Sequence, residues 1–157
     1  MIKKITRLLA AIALFVFAVP NQSKASHMMG ADIYFTCQGN NLYQFTLVFY
    51  RDCAGISAPS SVSMSIAAAS CGLSSSITLN QVGAGIEVSP LCPAMIAQSS
   101  CNGGSLPGVQ QFVYQGSVVL PFACNDYVFS WTDCCRNAAI TNVPGASGYG
   151  MYVEAHY

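Results

Sequence analysis

The cysteines are the residues of this chain whose number and type carry the most chemistry. The 157 residues include eight of them. They are Cys37, Cys53, Cys71, Cys92, Cys101, Cys124, Cys134 and Cys135. In an exported chain, an even number of cysteines is typical of a disulfide framework, so all eight are disulfide candidates. Each bridge stabilises by roughly 2–4 kcal/mol. The cysteines can pair in roughly a hundred ways, so the connectivity stays open.

Two of the cysteine segments contain the only arginines that follow residue 25: RDC at 51–53 and DCCR at 133–136. Adjacent cysteines either close a ring with each other or, more often, bond to two different partners. We therefore expect Cys53 to bond to Cys134 or Cys135. This bond would form a charge cluster of Arg51, Asp52, Asp133 and Arg136. Arginine suits such a cluster because its guanidinium binds carboxylates bidentately. Alternatively, the arginines recognise a carboxylate of a ligand.

Catalytic signatures are missing from the sequence. A serine nucleophile needs a base, usually histidine, and only His27 and His156 occur, each near a terminus. His156 alternates with Glu154 and Tyr152, which predicts a residue on the face of a sheet. The glycine-rich segments form neither a nucleophile elbow nor a dinucleotide fingerprint. The sequence therefore predicts no catalytic residues, no cofactor and no enzyme.

Metal binding is not indicated by the cysteine spacing. Zinc sites favour pairs separated by two to four residues, and no pair here has that spacing. Calcium needs clustered oxygen ligands, and the carboxylates are scattered along the chain. A structural calcium site remains an alternative only if Asp52, Asp126 and Asp133 converge in space. We predict no metal site.

A binding surface is a further alternative, because the chain is rich in tyrosine. Its eight tyrosines are Tyr34, Tyr43, Tyr50, Tyr114, Tyr127, Tyr149, Tyr152 and Tyr157. Tyrosine offers an apolar body with a polar tip, which suits contacts with glycans or proteins. Alternatively, the rings cover sheet faces in a protein that is poor in charge. Residues 90–108 form a long Pro-, Gly- and Ser-rich loop that is unusual unless functional or tied down, and Cys92 and Cys101 could close it locally.

The N-terminus has the pattern of a signal peptide. Lys3, Lys4 and Arg7 precede an apolar run of 12 residues at 8–19, and a small-residue cleavage site ends at Ala25. A membrane-spanning helix needs about 20 residues. We therefore predict a cleavable signal helix at 1–25, an exported domain at 26–157 and no membrane span after cleavage.

Cleavage changes the charge of the chain. Residues 26–157 keep two arginines and no lysine against six carboxylates, a net charge of −4. A chain with so few cations cannot neutralise a phosphate backbone or an anionic lipid surface, so nucleic acid is not expected as a partner.

The alternation of apolar and polar residues indicates strands rather than helices. Residues 31–51 predict a hairpin around the turn cluster at 38–41. Further strands are predicted at 61–66, 76–82, 85–89, 111–120, 126–132 and 149–156. Seven or eight short antiparallel strands predict an all-β, disulfide-stapled, Ig-like sandwich, although the Cys…Trp…Cys order of antibody domains is not met. The strand-like ending of the chain led us to expect the first domain of a longer or truncated protein.

An ordered series of motifs carries a family resemblance. It consists of SHMMGADI at 26–33, YRDC at 50–53, EVSPLC at 87–92, CNGG at 101–104 with PGV at 107–109, and DCCRNAAITN at 133–142. Over 26–157 the chain resembles the N-terminal domain of large surface proteins from gliding-type bacteria. Those proteins continue into PKD-like or Ig-like repeats and end in a gliding-motility-associated sorting domain for type IX secretion.

The resemblance implies an extracellular or outer-surface location, or a periplasmic one if the product is truncated. It also implies a non-catalytic structural or adhesive role, with other domains or surface proteins as partners. The alternative function is a discrete glycan- or peptide-binding domain that uses the 90–108 loop and exposed tyrosines. The resemblance supplies no catalytic residues.

Overall fold

The computed structural model describes residues 28–121, 123–137 and 140–157. The predicted signal helix at 1–25 and His27 lie outside the described residues. The described residues form eight strands: β1 (Met28–Gly39), β2 (Leu42–Asp52), β3 (Ser61–Ala68), β4 (Leu73–Gln81), β5 (Ile86–Glu87), β6 (Val109–Val119), β7 (Tyr127–Asp133) and β8 (Met151–His156). The same residues include four short 3-10 helices, at Ala69–Cys71, Pro93–Gln98, Ser100–Asn102 and Ala146–Gly148. In the described part of the chain, no helix has the length and apolarity needed to span a membrane.

Local sequence accounts for most of these elements. The β1–β2 hairpin turns at Asn40 and Asn41, which both adopt left-handed backbone angles (φ 52° and 57°). Asparagine tolerates this region, and two such residues form the turn that matches strand twist. In β3, Met64 and Ile66 are buried, and the alternating Ser63 and Ser65 are exposed, as the sequence pattern predicts. The strand predicted at 85–89 is reduced to the two residues of β5.

The strands form one antiparallel sheet in the order β1-β2-β6-β4-β3-β7-β8, with β5 also paired to β6. The sheet curls until the edge strands β1 and β8 lie side by side, so the architecture is nearly a barrel. The predicted all-β antiparallel fold is therefore confirmed. The Ig-like sandwich is not confirmed as two separate sheets, because two residue pairs between β4 and β6 keep the sheet continuous.

Aromatic side chains fill the space inside the curled sheet. Phe129 on β7 packs against Phe35 and Phe45 of the opposite wall, with ring centroids 4.9 and 4.6 Å apart. Phe49 and Trp131 make a similar edge contact at 5.8 Å. Such edge and tilted geometries are the favoured ones for aromatic rings. The core thus joins β1 and β2 to β7 across the fold.

The disulfides correct the predicted pairing. Cys53 bonds to Cys101, and Cys134 bonds to its neighbour Cys135. Asp52 ends β2 opposite Val109, the first residue of β6, so the loop before β6 passes beside Cys53. The backbone N–H of Cys53 accordingly donates to Gly108 at 3.0 Å. The cysteine spacing does not predict that Cys53 and Cys101 are close, because their proximity arises from the β2–β6 pairing.

The third bridge joins Cys71 to Cys124. It closes the end of the sheet where β3 ends and β7 begins, whereas the Cys53–Cys101 bridge closes the opposite end. Among the described residues, Cys37 and Cys92 are free and exposed. The local Cys92–Cys101 bridge considered from the sequence is therefore wrong, and six of the eight candidate cysteines form bridges.

Candidate functional site

The RDC and DCCR segments meet at the start of β1. Met28 pairs with Arg51 on one side and forms a bridge with Arg136 on the other. Its N–H donates to the carbonyl of Cys135 at 3.4 Å, and its carbonyl accepts the N–H of Asn137 at 3.0 Å. The sequence analysis correctly placed the two segments together, but backbone pairing to a shared strand joins them, not a disulfide.

Asp52 and Asn137 make the direct side-chain contact between these segments. The amide Nδ2 of Asn137 donates to Oδ2 of Asp52 at 2.8 Å, and the N–H of Ala54 donates to Oδ1 at 2.9 Å. Asn137 is only 5% exposed. A buried hydrogen bond to a charged carboxylate stabilises more than a neutral one. Asn137 belongs to the DCCRN motif, but the sequence predicted no role for it, because an asparagine after Arg136 carries no distinctive signal.

The arginines donate to backbone groups. Arg51 donates from Nε to the carbonyl of Asp52 at 3.2 Å and from Nη2 to that of Cys53 at 3.1 Å. Arg136 donates from Nε to the carbonyl of Gly150 at 3.1 Å. Asp133 accepts the N–H of Cys134 at 2.7 Å. The hydrogen bonds of Arg51, Asp133 and Arg136 hold nearby backbone groups in place. A charge cluster formed by these residues with Asp52 stays a prediction.

A cavity of about 230 Å³ opens beside this contact. Met29, Leu106 and Pro107 provide much of its wall, and Asp52 and Asn137 also line it. A cavity of about 150 Å³ holds one benzene ring, whereas drug-sized ligands occupy roughly 300–1,000 Å³. The cavity therefore has room for one side chain or one small ring.

The 90–108 loop is tied down along its length. Glu87 accepts hydrogen bonds from Ser89 at 2.7 Å and from Asn102 at 2.8 Å. Asn102 also donates to the carbonyl of Ile96 at 2.9 Å. Hydrogen bonds from Ser99, Ser89 and Asn102 hold the pKa of the Glu87 carboxyl below its ordinary value. We call this loop, together with its contact residues Met28, Arg51, Asp52, Cys53, Glu87, Arg136 and Asn137, the loop end.

Seven of the eight tyrosines are either buried or exposed, and Tyr50 is half-buried. Tyr43, Tyr114 and Tyr127 are buried in the core. Tyr114 donates its hydroxyl to the carbonyl of Pro59 at 2.8 Å, and burial raises its pKa to about 12. By contrast, four tyrosines are exposed: Tyr34, Tyr149, Tyr152 and Tyr157. The binding role of the exposed tyrosines stays a prediction.

The outer face of β8 carries a second cluster. Tyr152 donates its hydroxyl to Oε2 of Glu154 at 2.6 Å, and Oε1 of Glu154 lies 3.0 Å from Nε2 of His156. Hydrogen bonds from Tyr152 and His156 hold the pKa of the Glu154 carboxyl below its ordinary value. Glu154 raises the pKa of Tyr152 in return. We call these three residues the β8 face. Their alternation predicted the shared face but not the hydrogen bonds.

The residues considered for calcium do not gather. Asp52 contacts Asn137 at the loop end, whereas Asp126 accepts the N–H of Ser70 at 2.8 Å near the opposite end of the sheet. Hydrogen bonds from Ser70 hold the pKa of Asp126 below its ordinary value. Across residues 28–121, 123–137 and 140–157, no group of three His, Cys, Asp or Glu side chains could hold a metal ion.

Comparison with known proteins adds no relative. No protein-family model, no curated protein and no solved structure matches the chain significantly. Its function must therefore be argued from its own residues.

Proposed function

We propose that this chain is an exported, non-catalytic β-module with an adhesive or structural role at the bacterial cell surface. The observation that carries the proposal is the pair of long-range bridges at opposite ends of the sheet. Cys53–Cys101 spans 48 positions of sequence and Cys71–Cys124 spans 53. Such bridges persist in oxidising compartments outside the cytoplasm. A module held at both ends is suited to keep its shape while it bears a load.

The Ig-like architecture belongs to this proposal. Only Asn80↔Gln115 and Gln81↔Tyr114 join β4 to β6, so the sheet has a weak junction between two halves. One half consists of β1, β2, β6 and β5, and the other of β4, β3, β7 and β8. The aromatic contacts of Phe129 with Phe35 and Phe45 support face-to-face packing of these halves. Ig-like modules use this arrangement.

The motif series supports a place in a larger surface protein of gliding-type bacteria, exported by type IX secretion. The DNA downstream of codon 157 tests this part of the proposal. An open frame that encodes Ig-like or PKD-like repeats and a sorting domain would support it. A stop codon at that point, with no such frame beyond it, would contradict it.

The adhesive role is tested with beads that carry the exported chain. We expect such beads to remain on bacterial envelope fragments at shear that removes albumin-coated beads. Reduction of the disulfides should abolish this retention, because the sheet ends are then released. Retention no greater than that of albumin, or turnover of a substrate by the chain, would contradict the proposal.

A discrete binding domain is the second candidate. The cavity of about 230 Å³ at the loop end favours it, because its walls combine apolar side chains with Asp52 and Asn137. Its size fits a single side chain of a peptide or one sugar ring. Substitution of Leu106 by Trp would fill this cavity. If the cavity binds the partner, Leu106→Trp abolishes bead retention while the thermal unfolding midpoint stays near that of the parent.

A further inference from the structure

We infer that the β8 face is a subsite for a neutral glycan. The inference deepens the adhesive role proposed above and rests on it, because it names the chemistry that the module would hold. Tyr152 is the central residue. The residue is 56% exposed, yet its hydroxyl is held by the 2.6 Å hydrogen bond to Glu154. An exposed ring in a fixed orientation loses little freedom when a flat apolar ligand surface stacks on it.

Glu154 and His156 supply the polar partners that a sugar needs. Both side chains are accessible, with 40% and 61% of their surfaces exposed. A carboxylate has about four acceptor positions, and Tyr152 and His156 occupy two of them. Glu154 can therefore also accept hydrogen bonds from sugar hydroxyls, and such charge-assisted bonds are among the stronger ones.

The strands beside β8 continue the surface with hydroxyl groups. In the register of the sheet, Glu154 lies opposite Ser130, Ser130 opposite Ser65, and Ser65 opposite Ser76. Adjacent strands are about 4.8 Å apart, so this row extends the polar surface over about 14 Å. Thr132 lies opposite Tyr152 in a neighbouring row. Hydroxyl side chains can donate and accept, as sugar hydroxyls do.

The charge of this surface selects among ligand classes. The described residues contain only two arginines, Arg51 and Arg136, and both belong to the segments at the loop end. A sulfated or uronic glycan would meet the Glu154 carboxylate, and the basic side chain beside it, His156, is already paired with that carboxylate at 3.0 Å. A protein partner would ordinarily bury apolar anchors, and the row beside β8 consists of serines. A neutral polyol fits the exposed ring, the carboxylate and the hydroxyls together.

The length of the β8 face indicates more than one sugar unit. Tyr152 and His156 are four residues apart on an extended strand, which corresponds to about 13 Å. This distance exceeds one pyranose ring. The ligand that fits is therefore an extended neutral oligosaccharide. One of its rings would stack on Tyr152, and hydroxyls of the following rings would lie near Glu154 and His156.

The test is calorimetric titration of the exported chain with cellohexaose, laminarihexaose and chitohexaose. A heparin hexasaccharide serves as the anionic comparison. We expect at least one neutral hexasaccharide to bind and heparin not to bind. Tyr152→Ala should weaken binding about tenfold or more, and Tyr152→Phe should restore most of it because the ring remains. Glu154→Gln should weaken it several-fold.

Tyr149→Ala is the matched control, because Tyr149 is 58% exposed but lies outside β8. It should bind as the parent does, and circular dichroism melting should show that every variant is folded. The inference is overturned if no neutral hexasaccharide binds, if heparin binds equally well, or if Tyr152→Ala binds like Tyr149→Ala.

Bead retention separates this inference from the adhesive role. An excess of the hexasaccharide that binds in the titration should displace the beads from the envelope if a glycan is the target. If retention is instead lost after protease treatment and survives the excess hexasaccharide, the adhesive role stands and the partner is a protein, which overturns the glycan subsite. If beads are never retained on untreated envelope, the adhesive role fails irrespective of the titrations.

Discussion

The loop end and the β8 face use similar residue types for opposite purposes. At the loop end, Asp52, Arg51 and Arg136 contact backbone groups and Asn137, so their charges hold segments of the chain in place. On the β8 face, the side-chain partners of the Glu154 carboxylate among the described residues are Tyr152 and His156, which lie on its own strand. The first set is tied into the architecture, whereas the second is accessible to a ligand.

The comparison teaches that a conspicuous motif can serve the fold. RDC and DCCR stand out because arginine, aspartate and cysteine rarely cluster in a chain this poor in charge. Tyr152, Glu154 and His156 are an ordinary alternating strand by sequence. The two regions differ in how exposed their side chains are and in whether those side chains bond to the backbone or to each other. Both properties depend on the folded sheet.

The largest expected effect is loss of the Cys53–Cys101 bridge. The double variant Cys53→Ala/Cys101→Ala should lose about 4 kcal/mol of unfolding free energy, because the bridge closes a loop of 48 positions. Urea unfolding measures this loss. Glycan affinity at the β8 face, measured at a temperature where the variant is folded, should stay within about twofold.

Cys71→Ala/Cys124→Ala is the matched control, since that bridge spans 53 positions and should cost about the same. If the Cys53→Ala/Cys101→Ala variant remains folded but loses glycan binding, the β8 face is not independent of the loop end.

Asn137→Ala should give the next largest effect. The substitution removes the 2.8 Å hydrogen bond to the Asp52 carboxylate at a site that is 5% exposed. Loss of one partner of such a bond costs about 1–3 kcal/mol. Urea unfolding should show this loss, while Asn142→Ala, at an exposed position, should stay within about 0.5 kcal/mol. Equal stability of the two variants would mean that Asn137 does not hold the loop end.

The strands were largely predictable from the sequence, because their signal is local. The alternation of Ser63, Met64 and Ser65 is sufficient to place β3, and Asn40 and Asn41 mark the hairpin turn. The strand predicted at 85–89 shrank because only Ile86 and Glu87 pair with β6. After it, Val88 makes one further backbone hydrogen bond to Val109 at 2.8 Å, and Ser89 contacts Val109 through its side chain.

The disulfides and the two clusters were not predictable in the same way. Cys53 meets Cys101 because β2 pairs with β6, a contact between positions far apart in sequence. Asn137 reaches Asp52 across 85 positions because Met28 of β1 pairs with the segments of both residues. A single sequence contains residue types and periodicity but not strand order. The RDC and DCCR segments therefore meet, but the disulfide predicted between them is wrong.

The free thiols offer a chemical test of the framework. Six cysteines form bridges, and Cys37 and Cys92 are free and exposed. Thiol titration of the exported chain should find two reactive groups before reduction, in both the native and the urea-unfolded protein. Cys37→Ser and Cys92→Ser should each lower the count by one. A count of zero before reduction would indicate a fourth bridge, and a count of four or more would mean that at least one of the three bridges is absent.

The smallest expected effects are shifts of single carboxyl groups. Glu87 and Glu154 both have pKa values below the ordinary glutamate value, but different donors cause the shifts. Ser89→Ala removes a 2.7 Å donor from Glu87 and should raise the pKa of that carboxyl alone. Tyr152→Phe should likewise raise the pKa of Glu154 alone. Carbon-detected NMR titration resolves the two groups, and Ser105→Ala should shift neither.

The sign of the stability effect follows from the lowered pKa. A carboxyl with a lowered folded pKa stabilises the fold above its unfolded pKa of about 4.3, and this contribution disappears as the pH falls through the folded value. Glu87→Gln should therefore lower stability at pH 7 and flatten its decline below about pH 4. Since the loop end and the β8 face share no hydrogen bond among the contacts described, Glu87→Gln should leave the Glu154 titration unchanged. If Ser89→Ala or Tyr152→Phe shifted the pKa values of both Glu87 and Glu154, the loop end and the β8 face would be electrostatically coupled. They could then not be treated as two independent clusters.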